Sequence, residues 1–348
     1  MMDFQLKQRG RAAMDFEVAV AKAGGRAMQA AEAEMAGIGL GPDLLPEDME
    51  ERHRVIDEAM AGSSPFRLRA LLAEYSARNH GLAALDAFAE IRDEVAPALT
   101  SAAEGPTTID YREGFEPPEY WARSWFHRSH GGWDAVPENG FVHGELIHRK
   151  FVSKIFAGDI YANRRVVARE AADRAYDRIL ELGTSSGHYT VALSEVFPEA
   201  EIWGIDPSPA MLEQARRVGN ERGLDWKLFV GVGEDTGFED ASFDMVTAYA
   251  IHHELPTAIV DAVFAEAHRL LRPGGTVLIA DVPRYADIDR LASWRFDWAA
   301  RYGGEPFWRE SAMIDFAAHA EGAGFVEVRS GTVAPYANPY FVIGRKPR

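Results

Sequence analysis

Cysteine is absent from the 348 residues, so disulfides, thiolate metal sites and thiol nucleophiles are all excluded. Positive charge is scarce: 37 Lys and Arg stand against 54 Asp and Glu, a formal net charge of -17 at pH 7. A general nucleic-acid or anionic-membrane binder needs a basic footprint, so neither partner is expected. Long apolar runs are missing too; no stretch approaches the roughly 20 apolar residues of a membrane span. The opening MMDFQLKQRGRAAMDFEVAVAKAGG scatters charge where a secretory signal needs an apolar centre. A cytoplasmic location is the resulting expectation. Two chemical signatures are also lacking, the HExxH metal helix and the GxGxxG dinucleotide fingerprint.

What is present is ordinary globular material, 47% hydrophobic and 26% charged, in a chain long enough for more than one domain. Residues 1–105 read as a helical domain. Apolar residues recur at helical spacing in Phe16, Val18, Val20 and Ala23, and again in Leu68, Leu71, Leu72 and Tyr75. Gly39–Pro42 and Gly62–Pro65 punctuate it as loops. Packing or homodimerisation is the expected role. Residues 106–160 form an aromatic-rich linker or cap in which Pro106 and Glu116-Pro117-Pro118 break helices. Tyr111, Tyr120, Trp121, Trp125 and Trp133 crowd there with four of the eleven histidines: His127, His130, His143 and His148. The stretch reads as a cover over an apolar ligand or as a packed junction. His127 and His130 lack a carboxylate at ligand spacing, so no metal is expected.

Residues 161–348 settle into alternation, beginning with a helix over 161–175. Ile179–Leu182 is a buried-strand run, followed by the turn Gly183-Thr184-Ser185-Ser186-Gly187 and a helix to about Val196. A second strand, Ile202–Ile205, ends on Asp206. Glycines allow close backbone approach, and an acid at the end of the second strand can accept both hydroxyls of a ribose. Ser208 caps a helix to about Glu221. Strands follow at 226–230, from Phe243 to near Ile251, and at 276–280. A helix from Thr257 to Leu271 lies between the last two. After an aromatic connection over 282–310, a helix from Ser311 to Ala323 leads to two final strands near 325–330 and 338–344. The fold expected is α/β, a Rossmann-like doubly wound and mostly parallel sheet, with an N-terminal helical domain.

Four motifs in order sharpen this: Glu181–Gly187, Gly204–Leu212, Asp240–Val246 and Leu271-Arg272-Pro273-Gly274-Gly275. Together they resemble class I methyltransferases that use S-adenosylmethionine, over about residues 160–345. The resemblance implies that Gly183, Thr184, Ser185 and Gly187 cradle the methionine and ribose. It gives Glu181 the methionine amino group and Asp206 the ribose hydroxyls. Pro207, Met211, Tyr249 and, from the preceding helix, Tyr161 stand beside the cofactor. The family's adenine aspartate slot is Val232 here, leaving Glu234 and Asp235 as substitutes. Ser185 stands where the family has a glycine.

A sulfonium methyl is already electrophilic, so the protein must align an acceptor, exclude water and, for a hydroxyl, remove a proton. Similar plant-type O-methyltransferases place a base histidine after the fourth strand of the fold. His252 matches it best, with His253 as second candidate and Glu254 as an orienting acid. Asp281 is a further candidate, read first as a cap. The acids and amide of metal-dependent relatives are missing, so no magnesium is expected. The expected activity is methylation of a small aromatic or apolar molecule, on oxygen with His252 as base. The alternatives are C- or N-methylation of the quinone-biosynthesis type, and a binding protein without transfer.

Overall fold

A computed structural model describes residues 4–129, 131–155, 159–333 and 339–348. Eight strands are found among them: β1 (Thr108–Asp110), β2 (Arg178–Leu182), β3 (Glu201–Asp206), β4 (Lys227–Val230), β5 (Phe243–Tyr249), β6 (Leu271–Asp281), β7 (Val326–Thr332) and β8 (Tyr340–Arg345). They form one sheet in the order β1-β4-β3-β2-β5-β6-β8-β7. The pairings from β1 through β6 are parallel, and β8 runs antiparallel to both β6 and β7. From β2 the chain winds outward through β3 and β4, then starts again at β5 on the other side of β2. The crevice at the carboxyl ends of β2 and β5 is therefore the switch point where ligands of such sheets bind.

The central strands are apolar throughout because helices cover both faces. Alternation divides their side chains between two layers. Ile179 and Met245 join Tyr189 and Leu193 on one side, while Leu180, Leu182, Val246 and Ala248 join Phe264 and Phe316 on the other.

Several boundaries differ from expectation. The helix Thr257–Leu270 passes straight into β6, which begins at Leu271 and takes in the Pro-Gly-Gly stretch that lies ahead of the strand expected at 276–280. A register shift against β5 between Phe243 and Met245 accommodates it. The connection over 282–310 holds a helix, Arg290–Gly303, capped by Asp289, which accepts from the Ala292 amide at 2.8 Å. The expected helix from Ser311 is two, Trp308–Met313 and Phe316–Gly322, because Asp315 caps the second anew. The helix before β2 is only Ala162–Arg169.

Four long helices, Gln8–Gly37, Met49–Met60, Ser64–Ala89 and Arg92–Ala102, precede the sheet. A Cβ at Gly10 would lie 2.9 Å from Ala87, which shows how closely the first and third approach. These helices share their cores with later segments. Met14, Val18, Ala84 and Phe88 pack with Phe141, Leu146 and Phe151; Met28, Met35, Ile56 and Phe66 pack with Trp294 and Trp298. The 106–160 stretch supplies the edge strand β1 and a π-helix, Val142–Val152, that carries His143 and His148 inward. One stripe, Leu68, Leu71, Tyr75 and Leu82, stays exposed. No helix among the described residues is long and apolar enough to cross a membrane.

Candidate functional site

The turn after β2 is left-handed at three places, Gly183 (φ 72°), Ser185 (φ 48°) and Gly187 (φ 85°). The amides of Gly183 and Thr184 both donate to the Ile205 carbonyl, at 2.8 and 3.2 Å, tying the turn to β3. A Cβ at Gly183 would fall 2.2 Å from Ile251 Cγ2, so only glycine fits. Ser185 holds its conformation at a cost of about 1–2 kcal/mol. Its amide is thereby aimed at Asp206 Oδ2, 2.8 Å away.

Asp206 closes β3, buried, with Oδ1 accepting the Ser208 amide at 2.9 Å. Burial pushes its carboxyl up to about 7 against the pull of these two amides. A carboxylate has about four lone-pair positions. Two are used, and the rest suit the two hydroxyls of a ribose.

On one side of Asp206 lies a narrow cleft of about 60 Å³, bordered by Tyr120, Pro207, Val232, Glu234 and Leu255. The Tyr120 hydroxyl donates to Glu234 Oε1 at 2.6 Å. Glu234 Oε2 is buried without a partner among the described residues, an open acceptor for an adenine amino group. Asp235 is exposed and does not border the cleft. The sequence placed Tyr120 in the aromatic stretch but not beside Glu234, because the two are 114 residues apart.

On the other side a cavity of about 400 Å³ opens. Glu181, 1% exposed, sits at its floor and accepts from the Thr190 hydroxyl at 2.6 Å. Burial pushes Glu181 up to about 8. Arg164, from the helix before β2, reaches the same floor with its guanidinium 4.9 Å from the Tyr249 ring centre. Thr184 Oγ1 is buried against Gly204 of β3, without a hydrogen-bond partner among the described residues. A carboxyl for an ammonium group and a guanidinium for a carboxylate make a fitting seat for the amino-acid end of S-adenosylmethionine. Met211 and Tyr249 also line the cavity. Tyr161 does not: it borders a separate depression with Asp159 and Arg149, its hydroxyl 3.5 Å from Arg222. Gly187 is also set back, starting the helix His188–Val196.

His252 does not face this cavity. Its ring is fully buried, 5.0 Å from Phe316 and 6.1 Å from Phe264, and both nitrogens lack hydrogen-bond partners among the described residues, with Nδ1 3.8 Å from Asp281 Oδ2. Burial pushes it down to about 4. His253 lines the cavity instead. Its Nδ1 lies 2.8 Å from Asp281 Oδ1. Burial alone would lower this histidine, but the Asp281 carboxylate holds it up at about 9. Asp281 also accepts the backbone amides of His252 at 2.6 Å and Val282 at 2.7 Å, so it caps the loop and fixes His253 together. Glu254 lines the cavity and meets His127 Nε2 at 3.2 Å; His127 Nδ1 pairs with Glu305. His130 lies outside the described residues. Trp121, Trp133, His143 and Phe151 enclose the remaining wall.

Residues 179–275 match a family model described as a methyltransferase domain. The chain is 34% identical over 129 residues to a demethylmenaquinone methyltransferase of Thermus thermophilus, covering 37% of this chain and 57% of that one. It is 30% identical over 139 residues to a malonyl-[acyl-carrier protein] O-methyltransferase of Legionella pneumophila, covering 36% and 48%. The chain thus spans about half the length of the curated relatives it matches. Among solved structures, phosphoethanolamine N-methyltransferase 2 of Haemonchus contortus aligns with a TM-score of 0.45 at 14% identity, covering 61% of this chain and 60% of that one. A glycine cradle under Asp206 and a carboxyl–guanidinium seat beyond it thus lie in and beside a methyltransferase domain over residues 179–275.

Proposed function

We propose that the protein transfers a methyl group from S-adenosylmethionine to an oxygen of a small aromatic or apolar molecule in the 400 Å³ cavity. Continuity carries this reading. Trp121, Gly183, Asp206, Ile251 and Glu254 border both the narrow cleft and the large cavity. A nucleoside with its ribose on Asp206 therefore extends from one into the other, and the cavity beyond is left for an acceptor. The cofactor supplies an electrophilic methyl; the chain orients the acceptor and excludes water. Trp121, Trp133 and Phe151 suit a flat ring, and His127, His253 and Glu254 give the polar face that meets its oxygen.

The test is transfer of labelled methyl to a panel of monophenols, catechols and quinols. His253, held up at about 9 by Asp281, takes a proton only in its neutral form, so His253→Ala is compared with the parent near pH 9 and is expected to lower turnover there by ~10²-fold or more with S-adenosylhomocysteine binding retained. His252→Ala acts on packing and leaves most turnover in the fraction that folds. The reverse ranking overturns the assignment. The likeness to a demethylmenaquinone methyltransferase favours a second reading, methylation of a ring carbon, which the position of the label in the product separates from the first. Binding without any product across the panel marks the binding-protein alternative.

The raised carboxyls give a pH dependence. With Glu181 up at about 8 and Asp206 at about 7, the free protein holds part of two protons at neutral pH. An ammonium beside Glu181 and hydroxyls on Asp206 favour the ionised forms, so filling the site expels protons. Affinity for S-adenosylhomocysteine should rise from pH 6 to pH 8, by no more than about tenfold per unit for each proton released. Calorimetry in buffers of different ionisation enthalpy reads the release directly. Proton uptake, or none, overturns it.

A further inference from the structure

We propose that His127, His253 and Glu254 form a divalent-cation site on the wall of the acceptor cavity. Each offers a ligand atom, and the three atoms lie within 4.8 Å of one another. Two imidazoles and one carboxylate with open positions are a donor set that suits first-row ions such as Mn(II), Fe(II) and Zn(II).

The surroundings match what such a site requires. His253 is held at Nδ1 by Asp281, 2.8 Å away, and His127 is held at Nδ1 by Glu305. Carboxylates on Nδ1 fix the ring and leave Nε2 as the ligand atom, the usual outer-shell arrangement of metal-binding histidines. The His127 Nε2 pairs with Glu254 Oε1 at 3.2 Å, and a cation between them would take the place of the Nε2 proton. A second, independent sign is Glu305 Oε2, buried without a partner among the described residues although its side chain is only 8% exposed. Three carboxylates thus surround two imidazoles, an excess of acceptors that a dication would balance.

The backbone is bent to make this possible. His127 and Arg128 are both left-handed, at φ 52° and 53°. Strain of this kind persists where the surroundings over-determine it and clusters at functional sites. The His127 amide donates to the Gly304 carbonyl at 3.2 Å, and a Cβ at Gly304 would fall 3.0 Å from the Arg128 nitrogen. Left-handed Gly304 therefore allows the two segments to meet and sets Glu305 against His127.

A cation here would have open positions facing the cavity, able to take one or two neighbouring oxygens of the acceptor and to acidify its hydroxyl. In that arrangement His253 acts as ligand, with Asp281 as its positioning residue. The acceptor's part rests on the methyl-transfer reading; the cation site rests on its own geometry. The test is titration of the chelator-stripped full chain with Mn(II), read by loss of the free-ion electron paramagnetic resonance signal, and with Co(II), read by its visible absorption. The expected result is one equivalent per chain, with affinity reduced at least tenfold in His127→Ala and in His253→Ala. Asp281→Asn should weaken it by about 10–100-fold. S-adenosylhomocysteine binding, measured on the same samples, reports that the variants are folded. It also separates the two proposals, because loss of cofactor binding in the parent chain would defeat methyl transfer and leave the ion result standing. No stoichiometric uptake by the parent chain, or variants that bind as it does, overturns the cation site.

Discussion

Asp206→Ala is expected to weaken S-adenosylhomocysteine binding by ~10²- to 10⁴-fold. Hydrogen bonds to a charged group are each worth about 1.5–3 kcal/mol, and two ribose hydroxyls on one carboxylate give about 3–6 kcal/mol, which converts to that range. The loss is compounded in the empty site, where the Ser185 and Ser208 amides both lean on this side chain at 2.8 and 2.9 Å. Alanine leaves the two amides without their acceptor and takes away the bond that offsets the strained Ser185 turn. Asp206→Asn keeps the shape but exchanges one acceptor oxygen for a donor, so its loss should be intermediate. Calorimetry on the three proteins, with circular dichroism to verify folding, gives the order. An alanine variant within threefold of the parent would remove the ribose from Asp206 and with it the orientation of the whole cofactor.

The parts of this site legible in the sequence are those fixed by local geometry. Gly183 and Asp206 sit in one strand–turn–helix–strand unit, where spacing alone sets their relation. Glu181, on the buried strand before the turn, follows from the same register. Residues brought together from distant segments were not legible. Tyr120 and Glu234 meet across 114 residues, and His127 reaches Glu254 from the aromatic stretch. The choice between His252 and His253 depends on which way one short 3-10 turn faces after β5, and on Asp281 in the neighbouring strand. Tyr161 and Arg164 show the same effect within a single helix: starting at Ala162, it turns the arginine inward and leaves the tyrosine outside. The helix Arg290–Gly303 was readable in principle. Trp294, Trp298 and Tyr302 recur every four residues behind the cap Asp289, but their bulk read as an aromatic connection.

That helix is where the N-terminal half packs against the segment after β6, and Trp294→Ala is expected to cost about 3–5 kcal/mol of stability. Trp294 is fully buried. Its ring lies 6.3 Å from Phe66 and 6.3 Å from Trp298, so the cavity left by alanine would open between the N-terminal helices and the connection after β6. Polar contacts hold the same junction and resist its collapse. His53 Nε2 lies 2.7 Å from Asp297 Oδ2, and Arg52 donates to the Ser293 hydroxyl at 2.6 Å. Unable to close around the gap, the site should lose both the transfer energy of the indole and the contacts around it. Chemical denaturation followed by circular dichroism measures the cost, and its shape says more. If the two halves fold as one, the parent shows a single transition that moves to lower denaturant in the variant. A parent that unfolds in two steps, with Trp294→Ala moving only the first, would mean that the helical half folds separately. A cost below about 1 kcal/mol would mean that the Trp294 junction contributes little packing. Because Gly303 and Glu305 lie at the end of this helix and line the 400 Å³ cavity, loosening it should also reach the wall where His127 and Glu305 meet.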